Sequence, residues 1–304
     1  MTLQQLKAFL AIVEFGSFRR AARELGLSQA GLTNSIQALE ADLGVSLLSR
    51  TAQGVTPTDD GERLLARAQL IDREAALAVE EARRSRGDPA GSLHVGVGPT
   101  PTAALLPLVV PDFHKRFPLV KLKLVSGFYD QLLPALQRGL IELAVTALPD
   151  EGATPGLKSK ALFKSDLAVV SRIGHPCVAA RSVRQLVDSE WILLGTPGGP
   201  GGTITRLFEE QGLPPPRIAA SCESFNQLAA LIGGTDWLAM VPALLIDRGL
   251  LGTQLTRIAI KERPPRFDNC IVYRSEPPLT EPAMVFAAMC ESGARIVTRM
   301  RPSI

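Results

Sequence analysis

The sequence predicts a small helical head, one long helix and a larger α/β region, and three patterns in its 304 residues carry that reading. Between Ser17 and Val45 two helical apolar stripes are separated by a very short turn. From Thr58 to about Arg86 a narrow stripe of mostly small residues recurs at helical spacing. From Gly91 onward short apolar runs alternate with helical stretches, the texture of an α/β domain.

The first helix opens on Thr2, with Gln5 three positions on completing a capping box, and Leu6, Phe9, Leu10 and Val13 are its expected core stripe. In the second, Phe18, Ala21, Ala22 and Leu25 fall on one face of a 3.6-residue period. Gly26-Leu27-Ser28 supplies a left-handed stop, an apolar plug and a new cap. The third helix buries Leu32, Ile36, Leu39 and Leu43 and shows Gln29, Ala30, Thr33, Asn34 and Gln37 on its other side. Two helices joined this tightly cross steeply, so the later one can enter a major groove. Gln and Asn can bond adenine in pairs, Thr can donate or accept, and the Ala30 methyl can pack on a thymine methyl. The same short amides also occur on ordinary solvated helices. Residues 47–57 have the content of a small hairpin, a wing, in which Arg50 is placed to reach a phosphate or the minor groove, or to form a surface ion pair.

Thr58 caps the long helix, with Asp59, Asp60 and Glu62 near its positive end. Its stripe of Leu64, Ala68, Ile71, Ala75, Ala78 and Ala82 lets two helices approach closely, as a dimer seam or as packing on the chain's own head. Gly87-Asp88-Pro89 breaks it and forms a hinge. Strands are expected at 92–97, 119–125, 141–146 and near 167, then at WILLG, RIAAS, WLAMVP and CIVYR. Helices are expected up to about 116, over 129–138 and from about Pro282 to Met300.

Composition narrows the function. The length suits two or three domains, no apolar run reaches membrane-spanning length, and the start does not read as a signal peptide, so a soluble cytoplasmic protein is expected. The net charge is only +3, and residues 1–58 hold five cations against four anions, so any DNA affinity must come from a few placed arginines, backbone N–H groups and multivalency. Cys177, Cys222, Cys270 and Cys290 have no metal-like spacing and read as reduced, mostly buried thiols. His94, His114 and His175 are scattered, with His94 in an apolar strand as a core or lobe-interface residue. The Gly-rich run 195–202 lacks the Gly-Lys-Ser/Thr ending of a phosphate loop, and the GVG at 96–98 lacks a third glycine. No catalytic constellation, metal site or cofactor site emerges.

The head resembles the amino-terminal domain of LysR-type transcriptional regulators. Leu6, Phe9, Phe18, Ala21, Ala22, Leu25, Ser28, Gln29, Leu32, Ile36, Leu39, Glu40, Leu43, Gly44, Arg50, Thr58 and Gly61 stand where that pattern puts them. Ala30 replaces a usual Pro, Asn34 a larger polar or basic residue, and Leu48 a frequent Phe; these bear on the DNA half-site. The resemblance continues through the chain and implies a winged helix-turn-helix over 1–58 and a linker and dimerisation helix with hinge over 59–90. It also implies a two-lobed, periplasmic-binding-protein-like α/β effector domain over 91–304. Lobe I would be 91–163 with 267–304, and lobe II 164–266.

By resemblance, the partners are double-stranded DNA, a small anionic or polar effector with an aromatic one as the further option, a second copy joined through the linker helix and assembling to a homotetramer, and RNA polymerase. The run 198–216 and the CESF that follows look most like a branch that includes regulators of aromatic-compound degradation. Candidate DNA contacts are Arg19, Arg20, Ser28, Gln29, Ala30, Thr33, Asn34, Gln37 and Arg50. In a two-lobed domain a ligand sits where strands end and helices begin, on unpaired N–H groups and hydroxyls. That makes Thr100, Pro101, Thr102, Phe128, Thr146, Gly201, Gly202, Thr203, Ser224 and Phe225 the effector candidates, with Thr100 at the usual effector-contacting hydroxyl position. A solute-binding module without a DNA role would explain residues 91–304 and leave 1–58 unexplained.

Overall fold

The computed structural model describes residues 1–51, 54–84, 91–149, 154–196 and 200–299. The chain forms two compact units, Met1–Ser92 with Ala135–Ile141 and Leu93–Pro134 with Glu142–Ile304.

The first unit contains α1 (Leu3–Phe15), α2 (Phe18–Leu25), α3 (Gln29–Leu43), the hairpin β1 (Leu48–Thr51) and β2 (Gly54–Pro57), and α4 (Asp59–Arg84). Helices α1, α2 and α3 each open on a hydroxyl, Thr2, Ser17 and Ser28, that accepts a backbone N–H of the first turn. Each stops at a left-handed glycine, Gly16, Gly26 and Gly44. Leu6, Phe9, Ile12, Ala22, Leu32, Ile36 and Leu39 share one core. Because α1 touches α2, α3 and α4, its buried face is broad: Ala8 and Ile12 take the interior, while Leu10 and Val13 are only partly buried. Leu25 and Leu43 end their stripes in the open, at 37% and 40% exposure.

Two ties set the hairpin. Glu40 Oε1 accepts the N–H groups of Leu47 (2.7 Å) and Leu48 (3.3 Å). The Thr58 hydroxyl donates to the Ser46 carbonyl (2.7 Å) and accepts the Gly61 N–H (3.0 Å). A Cβ at Gly61 would collide with the Leu47 carbonyl oxygen, so the start of α4 lies directly on the hairpin's base.

The small-residue stripe of α4 divides in two, which corrects its reading as one seam. Ala68 is 0% exposed inside the head's core, with Leu64 packed beside it, whereas Ile71 and Val79 stand 40% and 52% exposed. The expected hinge at Gly87–Pro89 lies outside the described residues.

The second unit begins with β3 (Gly91–Val97), α5 (Pro99–Ala104), α6 (Leu106–Arg116), β4 (Val120–Ser126), α7 (Tyr129–Gln137), β5 (Leu143–Leu148), β6 (Leu157–Ser165) and β7 (Leu167–Arg172). It continues with β8 (Glu190–Leu194), α8 (Thr203–Glu210), β9 (Arg217–Cys222), α9 (Phe225–Gly234), β10 (Ala239–Pro242), α10 (Ala243–Asp247) and β11 (Leu255–Ile258). β12 (Phe267–Arg274) and α11 (Glu281–Arg299) complete it. One five-stranded sheet has the order β4-β3-β5-β12-β6. A second group, β10-β7-β11, is joined to the parallel pair β8-β9 by a bridge between Trp191 and Leu238. The chain leaves the first sheet after Ser165 and re-enters it at Phe267, and these two residues are direct partners across β6 and β12.

Leu93, Val95, Val145, Ile271 and Phe286 form the core of the first lobe, with Phe113 edge-on to Phe286 at 5.4 Å. Trp191, Leu207, Phe208 and Leu238 fill one side of the second lobe, and Val170, Leu228, Ile232 and Val241 the other. The single helix expected before Arg116 is two, broken at Leu105 with Pro107 opening the second. Strands β6 and β11 and helix α10 were not expected at all. In β6 four successive residues, Lys158 to Ala161, are exposed, so it reads as a solvated loop rather than a lysine-protected sheet edge.

Candidate functional site

Helix α3 presents Gln29, Ala30, Asn34 and Gln37 to solvent, and Thr33 is half-buried between them. Two hydroxyls there are already engaged. Ser28 Oγ accepts the Gly31 N–H (3.0 Å), and Thr33 Oγ1 donates to the Gln29 carbonyl (2.9 Å). The free donors of this face are therefore its amides, and α3 contains no Lys or Arg. Arg19 and Arg20 are exposed at the start of α2, and the Arg20 guanidinium sits 5.6 Å from the centroid of the Phe15 ring, which restrains it. Arg50 pairs with Val55 across the hairpin.

Between the two lobes of the second unit lies a cavity of about 720 Å³, including its open mouth. The first lobe contributes Pro99, Thr100 and Pro101 from the start of α5, Phe128 and Tyr129 around the start of α7, and Thr146 and Ala147 from β5. The second contributes Ile192 to Leu194, Gly201, Thr203, Ile204, Phe225, Met240 and Pro242. Ser165, Leu167 and Phe267 enter from the two crossovers. Gly98 makes the first wall possible. A Cβ there would lie 2.7 Å from Thr146 Oγ1, so its absence lets the α5 start approach β5. The Thr100 and Thr146 side chains are 3% and 1% exposed and make no hydrogen bond to another described residue, which leaves both hydroxyls to the cavity. Thr196 Oγ1 donates to Asp130 Oδ2 (3.0 Å), and Arg248 donates to the Ala103 carbonyl (2.9 Å), two hydrogen bonds between the lobes.

Of the residues expected here from sequence, Thr100, Pro101, Phe128, Thr146, Gly201, Thr203 and Phe225 line the cavity, and Thr102, Gly202 and Ser224 do not. Thr102 turns its hydroxyl back onto the Gly98 carbonyl (2.8 Å), Gly202 is the N-cap of α8, and Ser224 caps α9 by accepting the Gln227 N–H (3.2 Å). Gly199, part of the same expected loop, lies outside the described residues. Sequence reasoning missed Ser165, because it did not find β6, and Leu167 and Phe267, which enter the cavity from the two crossovers. It also missed the apolar floor of Ile192, Ile204 and Met240, which carries no signal beyond ordinary core composition.

Cys222, Cys270 and Cys290 are poorly suited to thiolate chemistry. Burial and the neighbouring Asp268 push the Cys270 thiol up to about 11, and burial with Glu291 pushes Cys290 up to about 12. Burial also raises Cys222, opposed by its bond to the Ser224 carbonyl. Cys177 is half-buried, with its sulfur 3.9 Å from Ser189 Oγ. His175, expected only as an isolated histidine, is buried, with one ring nitrogen accepting the Cys177 N–H (2.9 Å) and the other 3.0 Å from the Asp236 carbonyl. Among the described residues no cluster of His, Cys, Asp or Glu could hold a metal, and no helix is long and apolar enough to cross a membrane.

Residues 3–62 match the profile of bacterial regulatory helix-turn-helix proteins of the lysR family, and residues 86–295 match the LysR substrate binding domain. The chain is 37% identical over 174 residues to a "Probable hydrogen peroxide-inducible genes activator" of Streptomyces viridosporus, across 57% of this chain and 55% of that relative. It is 32% identical over 268 residues to an "SDS degradation transcriptional activation protein" of a Pseudomonas species, across 86% of this chain and 85% of the relative. Among solved structures, CbnR, a LysR family transcriptional regulator, superposes with a TM-score of 0.72 at 25% identity, covering 97% of this chain and 99% of that one. CbnR complexed with its target DNA gives a TM-score of 0.69 at 25% identity over 98% of this chain and 100% of that one. With one profile over the helical head, the other over the α/β region, and CbnR sharing the fold along 97% of the chain, the chain belongs to the LysR family of DNA-binding transcriptional regulators.

Proposed function

We propose that this regulator reads its operator through the exposed amides of α3 and answers to a small effector held between the lobes of its second unit. The observation that carries the second half is the cavity itself: the Thr100 and Thr146 hydroxyls of one lobe, with no partner among the described residues, line it together with Thr203 and Phe225 of the other. A ligand touching both walls binds the closed arrangement better than the open one, so it shifts the population between them. Its shift reaches the DNA-binding unit through the connection that follows α4 and alters how two copies present their α3 helices.

Support for DNA reading comes from the likeness to CbnR captured on its target DNA, which extends over 98% of this chain. Dimerisation is assigned to the exposed part of α4 from Ile71 onward, assembly to a homotetramer and contact with RNA polymerase are part of the same reading, and the site of action is the cytoplasm. Binding rather than catalysis is favoured by a cavity whose described lining holds no His, Cys or carboxylate, and no cofactor is assigned. Relatives named for hydrogen peroxide induction invite a thiol switch instead. Raised thiol pKa values at Cys222, Cys270 and Cys290 argue against it, since the thiolate is the reactive form. The test is a gel-shift on the DNA upstream of the chain's own gene, repeated after peroxide and after candidate effectors. Sequence-specific retardation that an effector changes and peroxide does not is the expected result. Retardation indifferent to DNA sequence would overturn the reading.

A further inference from the structure

The cavity's chemistry defines the class of effector, an inference that rests on reading the cavity as the effector site. None of its described lining residues carries a formal charge. The start of α5 is also poor in backbone N–H donors. Pro99 and Pro101 have no N–H, and the Thr102 N–H is spent on the Gly98 carbonyl (2.9 Å). Across the cavity, the Gly201 N–H is spent on the Thr196 carbonyl (3.1 Å). A dicarboxylate or phosphate closed in here would lose its hydration without gaining a cation or a cluster of N–H donors, which is strongly unfavourable.

Among the hydroxyls that line the cavity, that of Ser165 is set from behind by a buried side chain. Ser165 is 4% exposed, lines the cavity, and its Oγ accepts a hydrogen bond from Asn269 Nδ2 at 3.0 Å. The same Nδ2 lies 3.3 Å from the Phe163 carbonyl oxygen, which fixes the amide: the opposite orientation would set Oδ1 against that carbonyl. With a lone pair of Ser165 occupied from behind by a fully buried side chain, its proton is left to the cavity. Around it the walls are aromatic. Phe128 of one lobe and Phe225 of the other lie 6.3 Å apart, and Phe267 enters from the crossover beside Ser165.

We infer that the effector is a planar aromatic compound with a single hydrogen-bond-accepting head, at most one carboxylate, whose oxygen accepts a hydrogen bond from the Ser165 hydroxyl. Asn269 is the positioning residue behind that donor.

The experiment uses the full-length protein in thermal-shift and calorimetric titrations with benzoate and acetophenone, and with succinate, inorganic phosphate and glucose. A ring probe is expected to bind and to raise the melting temperature, and the other three are not. Ser165→Ala should weaken the ring probe about tenfold, the scale of one lost hydrogen bond, and Ser165→Thr should retain it. Asn269→Ala should weaken the probe in the native background and add nothing on top of Ser165→Ala, a coupling that a purely structural role would not produce. Ring probes that ignore Ser165→Ala overturn the donor assignment. Succinate, phosphate or glucose binding that weakens in Thr100→Val overturns the effector class while leaving the cavity as the effector site. Ring probes unaffected by both Ser165→Ala and Thr100→Val bind elsewhere, and the cavity reading then fails as well. Failure of both ring probes to bind also overturns the class.

Discussion

The face of α3 proposed to read bases and the cavity proposed to hold the effector are built in opposite ways. The first comes from residues 29–37 of one helix, fixed by Leu32, Ile36 and Leu39 on its buried side. The second draws on short stretches scattered from Pro99 to Phe267, two of them at the chain's crossovers. A helix face is a property of local periodicity, so burying one side determines what the other side shows. A cavity between sheets is a property of topology, and its residues need share nothing in sequence.

The largest expected effect tests whether the head is as self-contained as its periodicity suggests. Ala68 belongs to that core, whereas Ile71, one turn further along α4, is exposed. Ala68→Glu should cost about 3–5 kcal/mol and unfold the head, since the carboxylate would be buried without a partner. Ile71→Glu should leave each chain folded and abolish the proposed pairing of two copies through α4. Circular dichroism melts with light scattering distinguish the two. Equal effects from both would mean that α4 acts as one seam after all.

Within α3 the next contrast is between amides and the engaged hydroxyl. Gln29→Ala and Asn34→Ala should each cost about 1–3 kcal/mol on the operator and little on random DNA. Thr33→Ala should cost less than about 1 kcal/mol, because its proton already serves the Gln29 carbonyl. Binding isotherms on operator and scrambled duplexes measure all three. Identical losses on both duplexes would show that these side chains do not read sequence.

The same contrast can be posed in the cavity. Thr100→Val keeps the side-chain shape and removes a hydroxyl with no described protein partner, so effector affinity should fall by about 1–3 kcal/mol. Thr102→Val, two residues on, removes a hydroxyl that points back to Gly98 and should leave effector affinity unchanged. Calorimetric titration of the two variants decides it, and a larger loss at Thr102 would reverse the geometry.

These pairs also show where sequence reading stops. The helical stripes, glycine stops and hydroxyl caps of the head are local signals, and α1, α2 and α3 appear where they point. In the second unit the strand-end segments were legible and their rotation was not. Each helical step turns a side chain by about 100°, so Thr100 and Thr102, or Ser224 and Phe225, face different ways although the sequence offers them equally. Strand β6 was hidden because its lysines protect an edge, and with it went Ser165 and the crossover side of the cavity. The buried amide of Asn269 gives no sequence signal, since its meaning lies in Phe163 and Ser165, more than a hundred residues away.

The smallest effect compares two serines with one local role. Ser28 Oγ accepts the Gly31 N–H at the start of α3, and Ser224 Oγ accepts the Gln227 N–H at the start of α9. Each caps a helix, and replacing either with alanine should cost about 1 kcal/mol of stability in its own unit. Their consequences should then separate. At α3 the cap sits beside the exposed Gln29 and Ala30, so Ser28→Ala loosens the turn that carries the base-reading amides and should weaken operator binding in step with stability. At α9 the cap lies outside the cavity lining, and it is the adjacent Phe225 ring that faces the ligand. That ring is held by its packing against Phe128 and the lobe core, not by the cap hydroxyl. Ser224→Ala should therefore lower the melting temperature while leaving effector affinity within error of the native protein. Chemical denaturation followed by effector titration of the same preparation measures both quantities. A loss of affinity at Ser224 as large as that at Thr100 would place the serine in the site and blur the distinction between capping a helix and lining a cavity.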